Sequence, residues 1–186
     1  MAQARVRVTG GALKGFQLAE PGGARLRPTS ARVREAIFNV LAARIDDAAV
    51  LDLFAGTGAL GIEALSRGAG RAVFVESHRP AARAIVQSLA RAGLAEQGSV
   101  IRGALPGALD SLDGPFDLVF SDPPYDSEQA LPTLAALAPL LAEGGLVVYE
   151  HRSRYNPPER PLGLTLSDRR VYGDTAVAFF VALEGA

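Results

Sequence analysis

From residue 49 onward, short apolar runs alternate with longer amphipathic stretches. Buried strands are predicted at 50–54, 71–76, 99–102, 116–121 and 146–150, and helices between them at 59–67, 80–92, 106–112 and 127–142. Two last runs, 164–172 and 176–183, flank Gly173-Asp174 and predict a closing hairpin. The pattern therefore predicts an α/β fold with a mostly parallel sheet and one antiparallel C-terminal strand.

The helical pattern at 127–142 contains two interruptions. Pro132 and Pro139 each remove a main-chain N–H group, so they should kink or break the helix. Gly144-Gly145 is predicted to end it before the strand at 146–150.

Residues 1–44 have a different organisation from the rest. The alternating segment 5–8, the turn Thr9-Gly10-Gly11 and the segment 14–18 predict a β-hairpin. Ser30 is a plausible N-cap for a helix from 31 to about 43, whose apolar stripe contains Val33, Ile37, Val40 and Leu41, and from which Arg32, Arg34 and Glu35 fall largely away. The sequence thus predicts a hairpin-and-helix extension, 1–44, before a catalytic domain, 45–186.

Composition narrows the classes of function. Hydrophobic residues form 48% of 186 residues, enough for one sizeable core. The absence of cysteine excludes disulfides, and with only His78 and His151 no metal site is expected. No apolar run is long enough to span a bilayer and no signal segment is evident, so we expect a cytoplasmic protein.

A net charge of −1 conceals an uneven distribution. Residues 1–44 carry eight basic and two acidic side chains, about +6, which leaves the remainder at about −7. A basic end on a nearly neutral protein indicates contact with phosphates, although a solvated basic face is the alternative. The candidate phosphate-binding residues are Arg5, Arg7, Lys14, Arg27, Arg32 and Arg34.

A glycine-rich loop joins the first predicted strand to its helix. Gly56, Gly58 and Gly61 match G-x-G-x-x-G, and Glu76 ends the next strand at the position of a ribose-binding acid. The pattern also fits a dinucleotide-binding dehydrogenase or a tight turn without a ligand. Asp52 favours S-adenosylmethionine, because its carboxylate would repel a pyrophosphate but attract a sulfonium and an ammonium. Asp52 could also cap local main-chain amides.

Asp122-Pro123-Pro124-Tyr125 follows the fourth predicted strand, at the same carboxyl edge of the sheet as the glycine loop. Asp122 can accept one N–H of a base amino group and the carbonyl of Pro123 the other, stabilising charge that develops on the nitrogen. The two prolines fix the main chain, and Tyr125 offers a stacking surface. The structural alternative is a proline turn with an Asp cap and a core tyrosine.

These segments resemble the RsmD family, bacterial 16S rRNA guanine-N2 methyltransferases. The resemblance runs over nearly the whole chain and is carried by residues 5–11, 26–29, 32–39, 51–67 and 122–125. It implies a Rossmann-like class I methyltransferase fold, S-adenosylmethionine as the donor, and a guanine of 16S rRNA in an assembling 30S subunit as the substrate. A monomer is the default expectation.

The predicted cofactor site combines the glycine loop with positions that the resemblance implies. Ala104 is expected beside the adenine through main-chain or apolar contacts. The full set is Asp52, Phe54, Ala55, Gly56, Thr57, Gly58, Glu76, Ser77, Ala104 and Asp122. The motifs alone leave open methylation of adenine N6 or another base amine in RNA or DNA, and a non-enzymatic RNA-binding assembly factor.

Overall fold

A computed structural model describes residues 5–22, 29–161 and 163–183, and these contain one seven-stranded sheet. Across the sheet the order is β3-β2-β1-β4-β5-β7-β6, and β7 lies antiparallel to both of its neighbours while the other pairs are parallel. The predicted fold is confirmed. The strands are β1 (Ala49–Leu53), β2 (Arg71–Val75), β3 (Gly98–Ile101), β4 (Phe116–Ser121), β5 (Leu141–Arg152), β6 (Leu164–Tyr172) and β7 (Thr175–Ala182).

Helices pack on both faces because successive strand residues point to opposite sides. Phe120 joins one buried cluster with Phe38 and Ile62, whereas its neighbour Val119 joins a second with Leu134. Within the described residues no helix is long and apolar enough to cross a membrane. The α-helices are α1 (Ala31–Val40), α2 (Ala59–Ser66), α3 (Arg79–Ala92) and α4 (Ala130–Ala135), with 3-10 turns at Ala42–Arg44, Gly107–Ser111 and Ala138–Leu140.

The chain between β4 and β5 differs from its prediction as one long helix. Only α4 and the 3-10 turn that follows it are helical, because Pro139 cannot supply the N–H that a continuing helix needs. Gly144 does not end a helix. It lies inside β5 with φ +70°, next to a register shift in the pairing of β4 with β5, so the glycine accommodates an irregular strand.

The N-terminal hairpin is docked on the end of α2. Arg7 and Gln17 pair across the hairpin in an antiparallel bridge. At its turn, the amide and the hydroxyl of Thr9 both donate to the carboxylate of Glu63. Ser66 donates its hydroxyl proton to a carbonyl of the same turn at 2.7 Å. The extension is thereby hydrogen-bonded to the helix that follows the glycine loop.

Arg34 corrects a prediction, because it faces the interior and not the solvent. It lies on the same side of α1 as Ile37, Phe38 and Leu41, three, four and seven positions later. Arg34 is only 3% exposed, and its Nε lies 3.6 Å from a carboxylate oxygen of Glu63. A buried cation needs such a partner, so Arg34 ties α1 to α2 and is not available to contact RNA.

Candidate active site

The carboxyl ends of β1, β2 and β4 meet at a cavity of about 710 Å³. This is the edge at which open α/β sheets bind ligands. Gly58 does not line the cavity; it is the N-cap of α2, with φ +73°, and lies against Ile85. The other predicted cofactor and catalytic residues do line it: Asp52, Phe54, Ala55, Gly56, Thr57, Glu76, Ser77, Ala104, Asp122, Pro123, Pro124 and Tyr125.

The glycine loop places its main chain against the cavity. Phe54 and Gly56 have φ of +53° and +55°, which is the left-handed region, and the loop closes with a 2.7 Å bond from the amide of Gly58 to the carbonyl of Ala55. A methyl group on Gly61 would lie 2.3 Å from a ring carbon of the β2 phenylalanine beneath it. Glycine at position 61 therefore allows the close packing of α2 on the sheet.

Asp52 combines the two roles that the sequence left open. Its Oδ2 accepts a 2.9 Å bond from the amide of Gly61, and the residue also lines the cavity while only 2% exposed. Burial raises the pKa of Asp52 well above its usual value, and the nearby carboxylates of Asp122 and Glu76 raise it further. A cation in the cavity would relieve this concentration of negative charge.

Glu76 is held by main-chain donors at the end of β2. One carboxylate oxygen accepts a 2.7 Å bond from the amide of Gly56, and the other accepts a 2.7 Å bond from the amide of His78. These bonds fix the orientation of the carboxylate at the cavity wall. Since each carboxylate oxygen has two acceptor sites, Glu76 retains the capacity to accept from hydroxyl groups of a ligand.

Asp122 stands immediately after β4, half-buried at the cavity. Its Oδ2 accepts a 2.6 Å hydrogen bond from the hydroxyl of Thr29, a residue that is 6% exposed. The next residue, Ser30, caps α1 by accepting the amide of Val33. The start of α1 and the end of β4 are thus joined by a charge-assisted bond at the centre of the candidate site.

The rest of the Asp-Pro-Pro-Tyr loop forms an adjoining wall. Pro123 is buried, Pro124 is exposed, and the hydroxyl of Tyr125 lies 3.1 Å from that of Thr175 on β7. The guanidinium of Arg152 lies 4.8 Å from the centroid of the Tyr125 ring, a cation–π contact. The tyrosine ring is therefore held in place from two sides, by β7 and by the end of β5.

The basic side chains predicted to meet RNA have different fates. Arg5, Arg7 and Lys14 on the hairpin are exposed, as is Arg32 in the first turn of α1. Arg27 lies outside the described residues. The exposed side chains remain candidates for contact with RNA, whereas Arg34 is not a candidate because it is buried.

Comparison with known proteins shows the family to which this chain belongs. Residues 6–181 match the family described as Conserved hypothetical protein 95. Ribosomal RNA small subunit methyltransferase D of Escherichia coli K12 is 36% identical over 180 residues, which cover 95% of this chain and 89% of that protein. The chain belongs to the RsmD family of methyltransferases.

Solved structures agree with this membership in the RsmD family. The E. coli protein yhhF superimposes with a TM-score of 0.81 at 35% identity, covering 95% of this chain and 97% of that one. The hypothetical protein TTHA0928 of Thermus thermophilus gives 0.79 at 34% identity, covering 96% and 99%.

Sequence reasoning missed several residues of this RsmD-family site. Thr29 and Thr175 touch Asp122 and Tyr125 from distant parts of the chain, and Arg152 covers the tyrosine ring. The one available signal was the Leu-Arg-Pro-Thr segment, which carries the family resemblance and ends at Thr29. Its chemical role could not be assigned because its partner lies 93 residues away.

Proposed function

We propose that this protein transfers a methyl group from S-adenosylmethionine to the N2 amino group of a guanine in 16S rRNA. The observation that carries the proposal is the position of Asp122, which lines the same cavity as the glycine loop and is oriented by Thr29. The name of the E. coli relative, a small-subunit rRNA methyltransferase, supports this class of substrate.

The cavity has the chemistry that this donor requires. S-adenosylmethionine supplies an electrophilic methyl group on a sulfonium and carries no phosphate. Asp52, Glu76 and Asp122 all line the cavity, and the attraction of their carboxylates favours a cationic ligand over a phosphate. Glu76 would accept hydrogen bonds from the ribose hydroxyls, and the main chain of residues 55–57 would bind the methionine end. Ala104 would lie beside the adenine.

The chain's own groups would then activate the amine. Asp122 accepts one N–H of the guanine amino group, and the carbonyl of Pro123 accepts the other. These acceptors would stabilise the positive charge that develops on nitrogen, and the carboxylate of Asp122 would take the proton that the methylated nitrogen releases. Tyr125 stacks on the base, which must be unpaired or flipped out of its helix to reach the cavity.

The extension, residues 1–44, would bind the RNA while residues 45–186 bind the donor and the base. Arg5, Arg7, Lys14 and Arg32 are exposed and can contact phosphates. We propose an assembling 30S subunit as the substrate, a cytoplasmic location and a monomeric enzyme.

The test is nucleoside mass spectrometry of 16S rRNA from a strain that lacks this protein. We expect the loss of one N2-methylguanosine, its return with the wild-type gene, and no return with Asp122→Ala. Unchanged N2-methylguanosine with loss of a methyladenosine would favour the adenine alternative. Full restoration by Asp122→Ala would overturn the catalytic role of this carboxylate. Absence of S-adenosylmethionine binding by calorimetry would favour a non-enzymatic assembly factor.

A further inference from the structure

A second cavity, of about 420 Å³, adjoins the first. The two share the Asp-Pro-Pro-Tyr corner from Pro123 to Ser127, together with Glu150 and Arg152 at the end of β5. Any group bound in the second cavity would therefore lie next to a base bound in the first, with this corner and the end of β5 between them. None of the functions proposed above uses the second cavity.

Its wall is rich in aromatic rings. Tyr149 stacks on His151 with centroids 5.5 Å apart, and the rings of His151 and Tyr155 form a T-shaped pair with centroids 5.8 Å apart. Tyr155 is 38% exposed, and Leu131, which lines the same cavity from α4, is 41% exposed. These are two of the five large apolar side chains that are exposed within the described residues, so their convergence on one cavity indicates a binding surface.

Charged groups surround the aromatic wall. Arg154 is exposed, and within the described part of the chain it makes no hydrogen bond or ion pair. Arg152 lines both cavities and lies 3.5 Å from Asp126, whose side chain is 90% exposed. Glu128 is an exposed acid in the same lining. Among the described residues that line this cavity, Arg154 is thus a cation available to a phosphate, while the acids can accept N–H groups of a base.

We propose that the second cavity binds the nucleotide next to the target guanine, with its base stacked on Tyr155 and its phosphate at Arg154. Single-stranded RNA is recognised by splayed bases that stack on aromatic side chains while arginines follow the backbone. Two adjoining cavities divided by one loop match two consecutive bases of such a strand. The inference rests on the proposed function and deepens it, because it assigns a contact outside the reacting base.

The experiment measures binding of a short single-stranded oligoribonucleotide that contains one guanine. Fluorescence anisotropy is recorded with S-adenosylhomocysteine present, so that binding is determined apart from methyl transfer. The variants are Tyr155→Ala, Tyr155→Phe and Arg154→Ala. Matched controls are Val86→Ala, which removes an exposed apolar side chain on α3, and Arg160→Ala, which removes an exposed arginine outside both cavities.

Loss of the stacking ring should raise the dissociation constant of Tyr155→Ala about tenfold, and Tyr155→Phe should restore it. Arg154→Ala should weaken binding and lower the slope of log affinity against log salt by about 0.7, the value for one phosphate contact to a single strand. A 2-aminopurine beside the guanine should be quenched by the wild type and not by Tyr155→Ala.

Equal affinity and salt dependence in the variants and the matched controls would overturn the inference. The proposed function is judged separately, by methyl transfer from the wild-type protein to 16S rRNA in assembling 30S subunits taken from a strain that lacks the protein. If the wild type methylates guanine while Tyr155→Ala and Arg154→Ala behave like their controls, only the second cavity is reassigned. If the wild type fails to methylate 16S rRNA within these subunits, the proposed function fails, whatever the binding measurements give.

Discussion

Replacing Arg34 by methionine tests whether this arginine stabilises the fold, as its burial indicates, instead of binding RNA, as the sequence predicted. Arg34 donates from Nη1 to the carbonyl of Thr29 at 2.7 Å and from Nη2 to the carbonyl of Arg7 at 2.6 Å. Its guanidinium also faces the carboxylate of Glu63, which is 0% exposed. Methionine fills a similar volume but removes every one of these donors, and it leaves Glu63 with a weaker set of partners.

The expected cost follows from burial. Removing one partner of a buried ion pair costs about 3–5 kcal/mol, because the remaining charge is left without compensation in a poorly solvating interior. Glu63 keeps Arg67, whose Nη2 lies 2.8 Å away, so the lower end of this range is expected. For a protein of this size a loss of about 3 kcal/mol lowers Tm by roughly 6–12 °C.

Urea and thermal unfolding followed by circular dichroism provide the measurement. Arg32→Met is the matched control, since Arg32 is exposed in the same helix and should change stability by less than about 0.5 kcal/mol. Arg32→Met should instead weaken RNA binding. If Arg34→Met unfolded like the wild type while losing RNA affinity as Arg32→Met does, the reasoning from burial would be refuted.

Three further predictions concern the site and its support. Thr29→Val removes the donor to Asp122, and since bonds to charged groups contribute about 1.5–3 kcal/mol, kcat should fall about tenfold or more while Thr29→Ser stays close to wild type; equal kcat for Val and Ser in steady-state assays would contradict this. Gly61→Ala should destabilise by about 1–3 kcal/mol through overpacking, whereas Gly107→Ala, with nothing within 4 Å of the added methyl, should have little effect in thermal unfolding. Burial raises the pKa of Asp52 in the folded state, so the folded protein loses stability as pH rises above about 4, the pKa of this carboxyl in the unfolded chain. Measured without S-adenosylmethionine, the Tm of Asp52→Asn should therefore rise relative to that of the wild type as pH increases. A constant Tm difference between pH 4 and pH 7 would show that Asp52 carries no such penalty.

Local patterns identified much of the site because its main parts stand at the ends of strands. The loop at 55–58 and the corner at 122–125 each follow a buried apolar run, and parallel strands bring their carboxyl ends to one edge whatever lies between them. Pro139 shows where local reasoning was incomplete. Its restriction on the helix was recognised, but the early start of β5 depends on pairing with β4, which the local pattern does not contain.

The sequence by itself determined the order of strands and helices, the glycine loop and the placement of the candidate catalytic carboxylate, because these depend on periodicity and on residues close together in the chain. Tertiary structure alone decided that Arg34 is buried against Glu63 and that Thr29 holds Asp122 from 93 residues away. An arginine on a helical stripe can be buried only where another element supplies a carboxylate, and a hydroxyl orients an acid only where folding brings the two together. The sequence contains the members of each pair, but only the packing of α1 against the rest of the fold brings Arg34 close to Glu63 and Thr29 close to Asp122.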